Sequence, residues 1–414
     1  MASPPASLDT PSPPTSPHII SNRIEILRLL NILLSLPSLT TSPQDFTTTP
    51  NRWREAFVGG TVLPRKVTLC LLCSLLNTAL AKSEEDKSDA GLSGIALQAA
   101  KKLGGVVLRK ENLKEILKES CWALLGILFL EHAPPVPSPT VSPTTTSIPT
   151  TEDNKFAFFL SKLHRSTDFD FILAGLSTLF DSVITQSQSL FPPGPLIKIE
   201  SVKKSGNAWE ALLFLSRAIE TNRKFLDFLL AGKGGAEVCA YLVAICTTFD
   251  EPTHFDMVRF AAFILQTITA EPLLVVSTSI TLPLATASII SPSPTLSDLL
   301  ITNLTHLIFT TRARLSSLYP PFVIALTNIS GRIKGLGKAA AGDWVKMFLA
   351  FARPGFLLME ECNPRLINWL LEAFDTVRLI DVSSFIPSYR PLLTTIASAE
   401  PSTHLRDPSR GIPI

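Results

Sequence analysis

Charge is scarce in this chain and nearly balanced. Only 17% of the 414 residues are Asp, Glu, Lys or Arg, and 37 basic against 35 acidic side chains leave a formal charge of +2. Such a balance removes the general basic surface by which a protein gathers nucleic acid, so no nucleic-acid partner is expected. Histidine is scarce as well: His18, His132, His164, His254, His306 and His404 stand singly. A helical metal site needs ligands spaced i, i+3 or i+4, and the nearest approach, His254 with Asp256, is two apart. No metal is expected.

Cysteine is too sparse for a disulfide framework. Cys70, Cys73, Cys121, Cys239, Cys246 and Cys362 lie in apolar runs, which implies reduced, buried thiols and a cytosolic setting. Cys70-Leu-Leu-Cys73 has the spacing of half a zinc knuckle or of a redox pair. It lacks a second ligand pair, and its two leucines place it inside an apolar helix, so buried structural thiols are the favoured reading. No cysteine has neighbours that mark a nucleophile.

Targeting signals and phosphate loops are equally thin. Met1-Ala-Ser-Pro-Pro-Ala-Ser7 has neither a basic leader nor an early apolar core, and Ala2 does not fit N-myristoylation. Gly331-Arg-Ile-Lys-Gly-Leu-Gly-Lys338 lacks Walker spacing and a Ser or Thr after the Lys, while Gly232-Lys-Gly-Gly235 follows a helix and no strand. Both read as helix C-caps and turns. No catalytic, cofactor or small-molecule site is nominated. Arg332, Lys334 and Lys338 remain a weak candidate contact for an anionic lipid headgroup or an acidic partner, against the plainer reading of a solvated loop. Asn303-Leu-Thr305 and Asn328-Ile-Ser330 match the glycosylation pattern but are expected to stay unmodified without a route to the secretory lumen.

What the chain does have is apolar helical periodicity. Hydrophobic residues make up 46% of it, and 33 prolines interrupt them. Residues 1–18 and 400–414 read as a disordered arm and tail, and 133–153 as a disordered Pro/Ser/Thr linker. Residues 272–295 carry one charge-free stretch whose Pro283, Pro292 and Pro294 argue for an extended linker over a membrane span. Helical arrays occupy 19–132, 154–271 and 296–399.

The first helix starts near Ser21, carries Ile24, Ile26, Leu27, Leu29, Leu30, Leu33 and Leu34 as one broad stripe, and stops at Pro37. A turn around Trp53 to Phe57 follows, then Pro64 in the first turn of an all-round apolar, sandwiched helix over 67–80. Two helices over 92–108 and 113–130 come next. After the linker, helices span 155–164, 168–184, 207–220, 223–230, 237–249 and 255–269, and from 296 they continue to about 396. With about fourteen helices, no strand series and no fixed repeat period, the expected fold class is all-α, an irregular α-solenoid of HEAT or armadillo type.

Several stretches together resemble a family. Asn22-Arg-Ile-Glu-Ile-Leu-Arg-Leu-Leu30, Leu75-Leu-Asn-Thr78, Phe158-Phe-Leu-Ser-Lys-Leu-His-Arg165 with Asp168-Phe-Asp-Phe-Ile-Leu173, Arg223-Lys-Phe-Leu226, Leu326-Thr-Asn-Ile-Ser330 and Asn368-Trp-Leu-Leu-Glu-Ala-Phe374 are similar, in order and spacing, to landmarks of the high-temperature-induced dauer formation protein family, a relative of dymeclin. The resemblance runs from about Ser21 to Ser398. It implies a non-enzymatic helical scaffold with no cofactor, peripheral to Golgi or post-Golgi membranes on their cytosolic face. Such a scaffold would act in vesicle trafficking and secretory-granule or vesicle formation through contacts with other trafficking proteins.

Family members begin Met-Gly and are longer at both ends, so the chain is expected to be a partial member. A helical enzyme or cofactor protein with a site assembled from distant residues is the alternative, and an integral membrane protein using residues 272–297 a third. The oligomeric state is not set by any of these features.

Overall fold

The computed structural model is all-α, with sixteen α-helices, two short 3-10 turns and no strand among the described residues. Those are residues 16–35, 51–59, 62–81, 105–130, 154–189, 206–280, 282–311 and 314–380. Outside them lie the expected arm before residue 16, the charged loop 82–89, most of the helix over 92–108, the linker 133–153, the Phe191 to Pro195 loop and everything after residue 380. The chain divides into two compact units, Met1–Val275 with Ile280–Ile290, and Val276–Ser279 with Ser291–Ile414.

In the first unit, α1 (Pro17–Leu34) starts four residues before the expected Ser21. Pro17 sits in its first turn, where the missing N–H costs no bond and the fixed φ is already helical. Pro17 and His18 therefore belong to the helix and not to an arm. The helix buries Ile20, Ile24, Leu27 and Leu34 against α4 (Gly105–Phe129). This 25-residue helix also runs through the break expected between residues 108 and 113. Arg109-Lys-Glu-Asn112 contains neither Gly nor Pro, so nothing interrupts the backbone ladder there.

Between them stand α2 (Arg52–Val58) and α3 (Arg65–Ala79), the latter with Pro64 at its N-cap and not inside its first turn. Helix α3 is not sandwiched: it buries Leu72, Cys73, Leu75, Leu76 and Ala79 but leaves Val67 and Cys70 exposed. Then come α5 (Lys155–Lys162), α6 (Ser166–Ser189), α7 (Ala208–Thr221), α8 (Arg223–Ala231), α9 (Gly234–Thr248) and α10 (Phe255–Ala270). Helix α9 begins three residues before the expected Glu237. Gly232 caps α8, while Gly234 and Gly235 open α9, and a Cβ on Gly235 would stand 3.1 Å from the Leu229 carbonyl oxygen.

Nearly every side chain of α9 from Ala236 to Cys246 is buried, with α6, α8, α10 and α11 (Leu284–Ile289) packed around it. Helix α11 interrupts the linker expected to be extended throughout. It follows Pro283, and the Thr286 hydroxyl fastens it to α6 by donating to Asp181 Oδ1 at 2.8 Å.

One device recurs at the helix starts. Asn51 Oδ1 accepts from the Trp53 and Arg54 amides while its Nδ2 donates to Leu34 O, at the end of α1. Asn154 caps Phe156 and Ala157 and donates to Leu128 O of α4. Asn222 caps Phe225 and donates to Leu160 O and Leu163 O at the end of α5. Each amide satisfies orphan donors of one helix and orphan acceptors of another, which an ionised Asp cap, having no donor, cannot do. The C-terminus of α4 collects four such bonds. Arg54 donates to Ile127 O and Leu130 O, Asn154 to Leu128 O and Arg217 to Phe129 O, so two guanidinium groups face the negative end of a long helix dipole.

The second unit contains α12 (Leu296–Thr310), α13 (Tyr319–Ser330), α14 (Lys338–Phe351), α15 (Pro354–Leu357) and α16 (Asn363–Ile380). Helix α12 packs on α13 and α14, and α16 closes over both of these. Trp344 and Phe348 of α14 meet Phe374 of α16 at 5.1 and 5.5 Å between ring centroids, and Tyr319, Phe351 and Phe356 stack beside them. Residues 276–279, which open with a turn, complete the unit. Val276 O and Thr278 O accept from the Ser297 and Leu296 amides, two donors that the start of α12 would otherwise leave unpaired.

Candidate functional site

The turn between α13 and α14 carries the three basic residues singled out in the sequence. Gly331 ends α13, Ile333 is buried beneath the turn, and Gly335 has φ +74, a conformation open to glycine at little cost. Gly337 then caps α14, its N–H donating to Asp298 Oδ1 at 2.8 Å. Asp298 is itself 3% exposed in the first turn of α12, so a buried carboxylate anchors the turn.

The three cations share this turn but not one role. Arg332 folds back, its Nη2 donating to Asn328 O at 2.9 Å, and so serves the end of α13. Lys334 and Lys338 are exposed. Of the two glycine stretches, 331–338 is a turn between the C-cap Gly331 and the N-cap Gly337, while in 232–235 only Gly232 is a C-cap and Gly234 and Gly235 already belong to α9.

The other nominated groups disperse. His254 sets its ring edge against Phe249, His164 Nδ1 lies 2.9 Å from Lys162 O, and His306 faces solvent. Among the described residues, no three His, Cys, Asp or Glu side chains gather as a metal site would require. Asn303 of the glycosylation pattern is buried, its amide donating to Ser291 O and Leu299 O and its oxygen accepting from the Ser291 amide.

The cysteines divide into two kinds. Cys73, Cys121, Cys239 and Cys246 are buried, and burial pushes the Cys121 and Cys246 thiols up to about 12. Cys70 and Cys362 are exposed, against the expectation that all six are buried. Cys70 projects from the open side of α3, and Cys362 sits in the turn before α16, where the short α15 buries no residue of its own.

The surface shows what the sequence stripes do not. Helix α1 carries a second apolar face of Ile19, Ile26, Leu29 and Ile32; Ile26 is 60% and Leu29 57% exposed. Trp53 stands out from α2, and Trp209 of α7 leans on Phe260 of α10 at 5.4 Å beside exposed Phe263. In the second unit Leu358 and Met359, 87% and 67% exposed, project from the turn after α15. These rows and knobs are the kind of surface that other molecules cover.

No single described helix is long and apolar enough to cross a membrane. Helices α8 and α9 pass that test only as a pair, bent by 91°, and α9 is the buried core helix of its unit.

Comparison with known proteins places the whole helical region. A family model described as high-temperature-induced dauer-formation protein matches residues 9–383. Protein HID1 of Mus musculus is 27% identical over 371 residues, which cover 86% of this chain and 43% of the relative; Protein HID1 of Homo sapiens aligns with the same figures. The Ubp5-interacting protein ftp105 of Schizosaccharomyces pombe is 23% identical over 384 residues, 88% of this chain and 37% of its own. The chain thus spans less than half the length of these relatives. No solved structure matches.

Proposed function

Because this chain belongs to the high-temperature-induced dauer-formation protein family, we propose that it is a non-enzymatic helical scaffold that works through protein–protein contacts in vesicle trafficking, at the cytosolic face of Golgi or post-Golgi membranes. Its helices, in this reading, form an irregular array of HEAT or armadillo type, whose outer ridges are binding surfaces. The observation that carries it is the second apolar face of α1, where Ile19, Ile26, Leu29 and Ile32 stay exposed while Ile20, Ile24 and Leu27 of the same helix fill the core. A fungal relative, the Ubp5-interacting protein ftp105, is named for a protein contact, which fits a binding role. The partners proposed here are other trafficking proteins, and no cofactor or small-molecule substrate enters.

Lys334 and Lys338 give the second unit a cationic turn for an anionic headgroup or an acidic partner. Arg332, turned onto the end of α13, is a support for that turn.

The test is fractionation of cells expressing the full chain, with affinity recovery of bound proteins. The expected result is co-sedimentation with Golgi membranes, release by alkaline carbonate, and recovery of a discrete set of trafficking proteins. A uniform distribution with no such partner overturns the reading. Reversing Lys334 and Lys338 to Glu is expected to weaken membrane recovery most at low salt; unchanged recovery removes the turn from the contact.

A further inference from the structure

The connection between α12 and α13 reads Arg312-Ala-Arg-Leu-Ser-Ser-Leu318. Arginines thus stand three and five residues before Ser317. Arg312 lies outside the described residues, whereas 314–318 are described. Ser317 and Arg314 are exposed, while Leu315 and Leu318 are each 2% exposed and pin the turn to the second unit.

A hydroxyl three residues after an arginine occurs once more among the described residues, and the fold separates the two. In Arg65-Lys-Val-Thr68 the Thr68 side chain is fully buried, and its hydroxyl donates to Pro64 O at 3.3 Å. Ser317 stands instead in the 3-10 turn Ser316–Leu318. That turn is held by local bonds, from Arg314 N–H to Thr311 O, Leu318 N–H to Leu315 O and Tyr319 N–H to Ser316 O. Releasing it extends residues 314–318 and leaves the ladders of α12 and α13 intact.

We propose that Ser317 is a phosphoacceptor for a basophilic protein kinase, one that reads arginine before the acceptor. The flanking residues exclude the other common kinase classes: Leu318 follows where a proline-directed kinase needs Pro, and no acidic residue occurs from Thr311 to Val323 for an acidophilic one. Acidic side chains of the kinase pair with the Arg314 guanidinium and so set Ser317 against bound ATP. Ser317 Oγ attacks the γ-phosphorus; the new O–P bond forms, the bond from that phosphorus to the bridging oxygen breaks, and ADP leaves. The hydroxyl proton passes to the catalytic aspartate of the kinase.

The turn suits the product as well. Arg314 Nε donates to Thr311 O at 3.2 Å, which keeps the guanidinium on this turn, three residues from Ser317 and able to pair with a phosphate there. Helix α13 begins two residues on. Its first turn has no acidic residue and its N-cap Leu318 supplies no side-chain bond, so a dianion at Ser317 complements the positive end of the helix.

The experiment incubates the folded full chain with ATP and the catalytic subunit of cAMP-dependent protein kinase, and maps phosphopeptides by mass spectrometry. Phosphate on Ser317 is expected, and Ser317→Ala is expected to lose it while keeping the unfolding midpoint of the parent. Arg314→Gln is expected to slow the modification about tenfold or more. A peptide of residues 309–323 is the unfolded reference. It is expected to react faster than the chain, because Leu315 and Leu318 must leave the core before the kinase binds. The phosphorylated chain is expected to unfold at a midpoint no lower than that of the unmodified one.

Phosphate on the peptide but none on the folded chain overturns the proposal, as does modification of Ser316 or Thr68 in place of Ser317. An unchanged rate in Arg314→Gln overturns the reading of Arg314. Should that variant fail to fold, the same substitution in the peptide decides the point. A lower midpoint after phosphorylation overturns the fit of the phosphate to the turn.

Discussion

Asn222, 2% exposed, holds backbone groups of two helices with one side chain, taking the Phe225 amide of α8 at 3.0 Å and giving to Leu160 O and Leu163 O at 2.8 and 2.9 Å. Asn222→Ala removes a cap worth about 1 kcal/mol and strands two acceptors at about 1 kcal/mol each, so a loss of roughly 2–4 kcal/mol is expected in urea unfolding. Asn222→Asp keeps the cap but sets a carboxylate against two carbonyl oxygens. It should therefore fail to rescue; recovery to within about 0.5 kcal/mol of the parent would show that the cap alone matters.

Glu210 acts in the other direction. It lies in the first turn of α7 beneath Gly126 of α4, its Oε2 unpartnered, and burial raises its carboxyl above the ordinary 4.5. The folded chain holds this proton more tightly than the unfolded one does. The resulting stability is present below pH 4.5 and is lost as pH rises through the raised folded value. Glu237, raised by burial in the same way, adds to that slope. Glu210→Gln is expected to raise stability at neutral pH and to flatten the fall in urea midpoint above pH 4.5; parallel profiles for the two chains would contradict it.

At the scale of helices, glycines separate packing from propensity. Gly175 of α6 lets Leu80 approach so closely that a Cβ would meet the Leu80 carbonyl oxygen at 2.9 Å, and Gly342 of α14 has nothing within 4 Å of where its Cβ would lie. Gly342→Ala is expected to stabilise by about 0.5–1 kcal/mol through helix propensity alone. Gly175→Ala gains the same propensity but must move backbone, and a net loss of about 1–3 kcal/mol is expected. Thermal unfolding of both variants checks the opposite signs.

The existence of the helices was legible because apolar residues recur at their period, and most of their ends fall within a few residues of where caps and prolines place them. What was not legible depends on neighbours distant in sequence. The turn at Gly331 to Lys338 could be read from its glycines, but its anchor, Asp298, is 39 positions away from Gly337. Likewise the Arg332 guanidinium folds inward onto Asn328 O, although the local sequence shows only a cation. Helix α11 reads as linker because six residues rich in Ala, Ser and Thr carry no period, and its bond to Asp181 is a tertiary one.

On the scale of the molecule, the near-neutral charge leaves hydrophobic area as the main resource for the binding role proposed above. Helix α1 shows why the sequence alone could not locate that area. Its apolar stripe is too broad for one interface, and only packing against α4 shows that Ile24 and Leu27 turn inward while Ile26 and Leu29 turn outward. The two faces can be separated by experiment. Ile24→Glu buries a charge without a partner and is expected to unfold the first unit. Ile26→Glu with Leu29→Glu changes only exposed positions, so its unfolding midpoint should stay within about 0.5 kcal/mol of the parent. If α1 presents the binding ridge, this folded double variant loses at least tenfold in recovery of the partners that the parent chain captures. A folded double variant that recovers them undiminished moves the ridge elsewhere, with the exposed Trp209 and Phe263 of α7 and α10 as the next surface to alter.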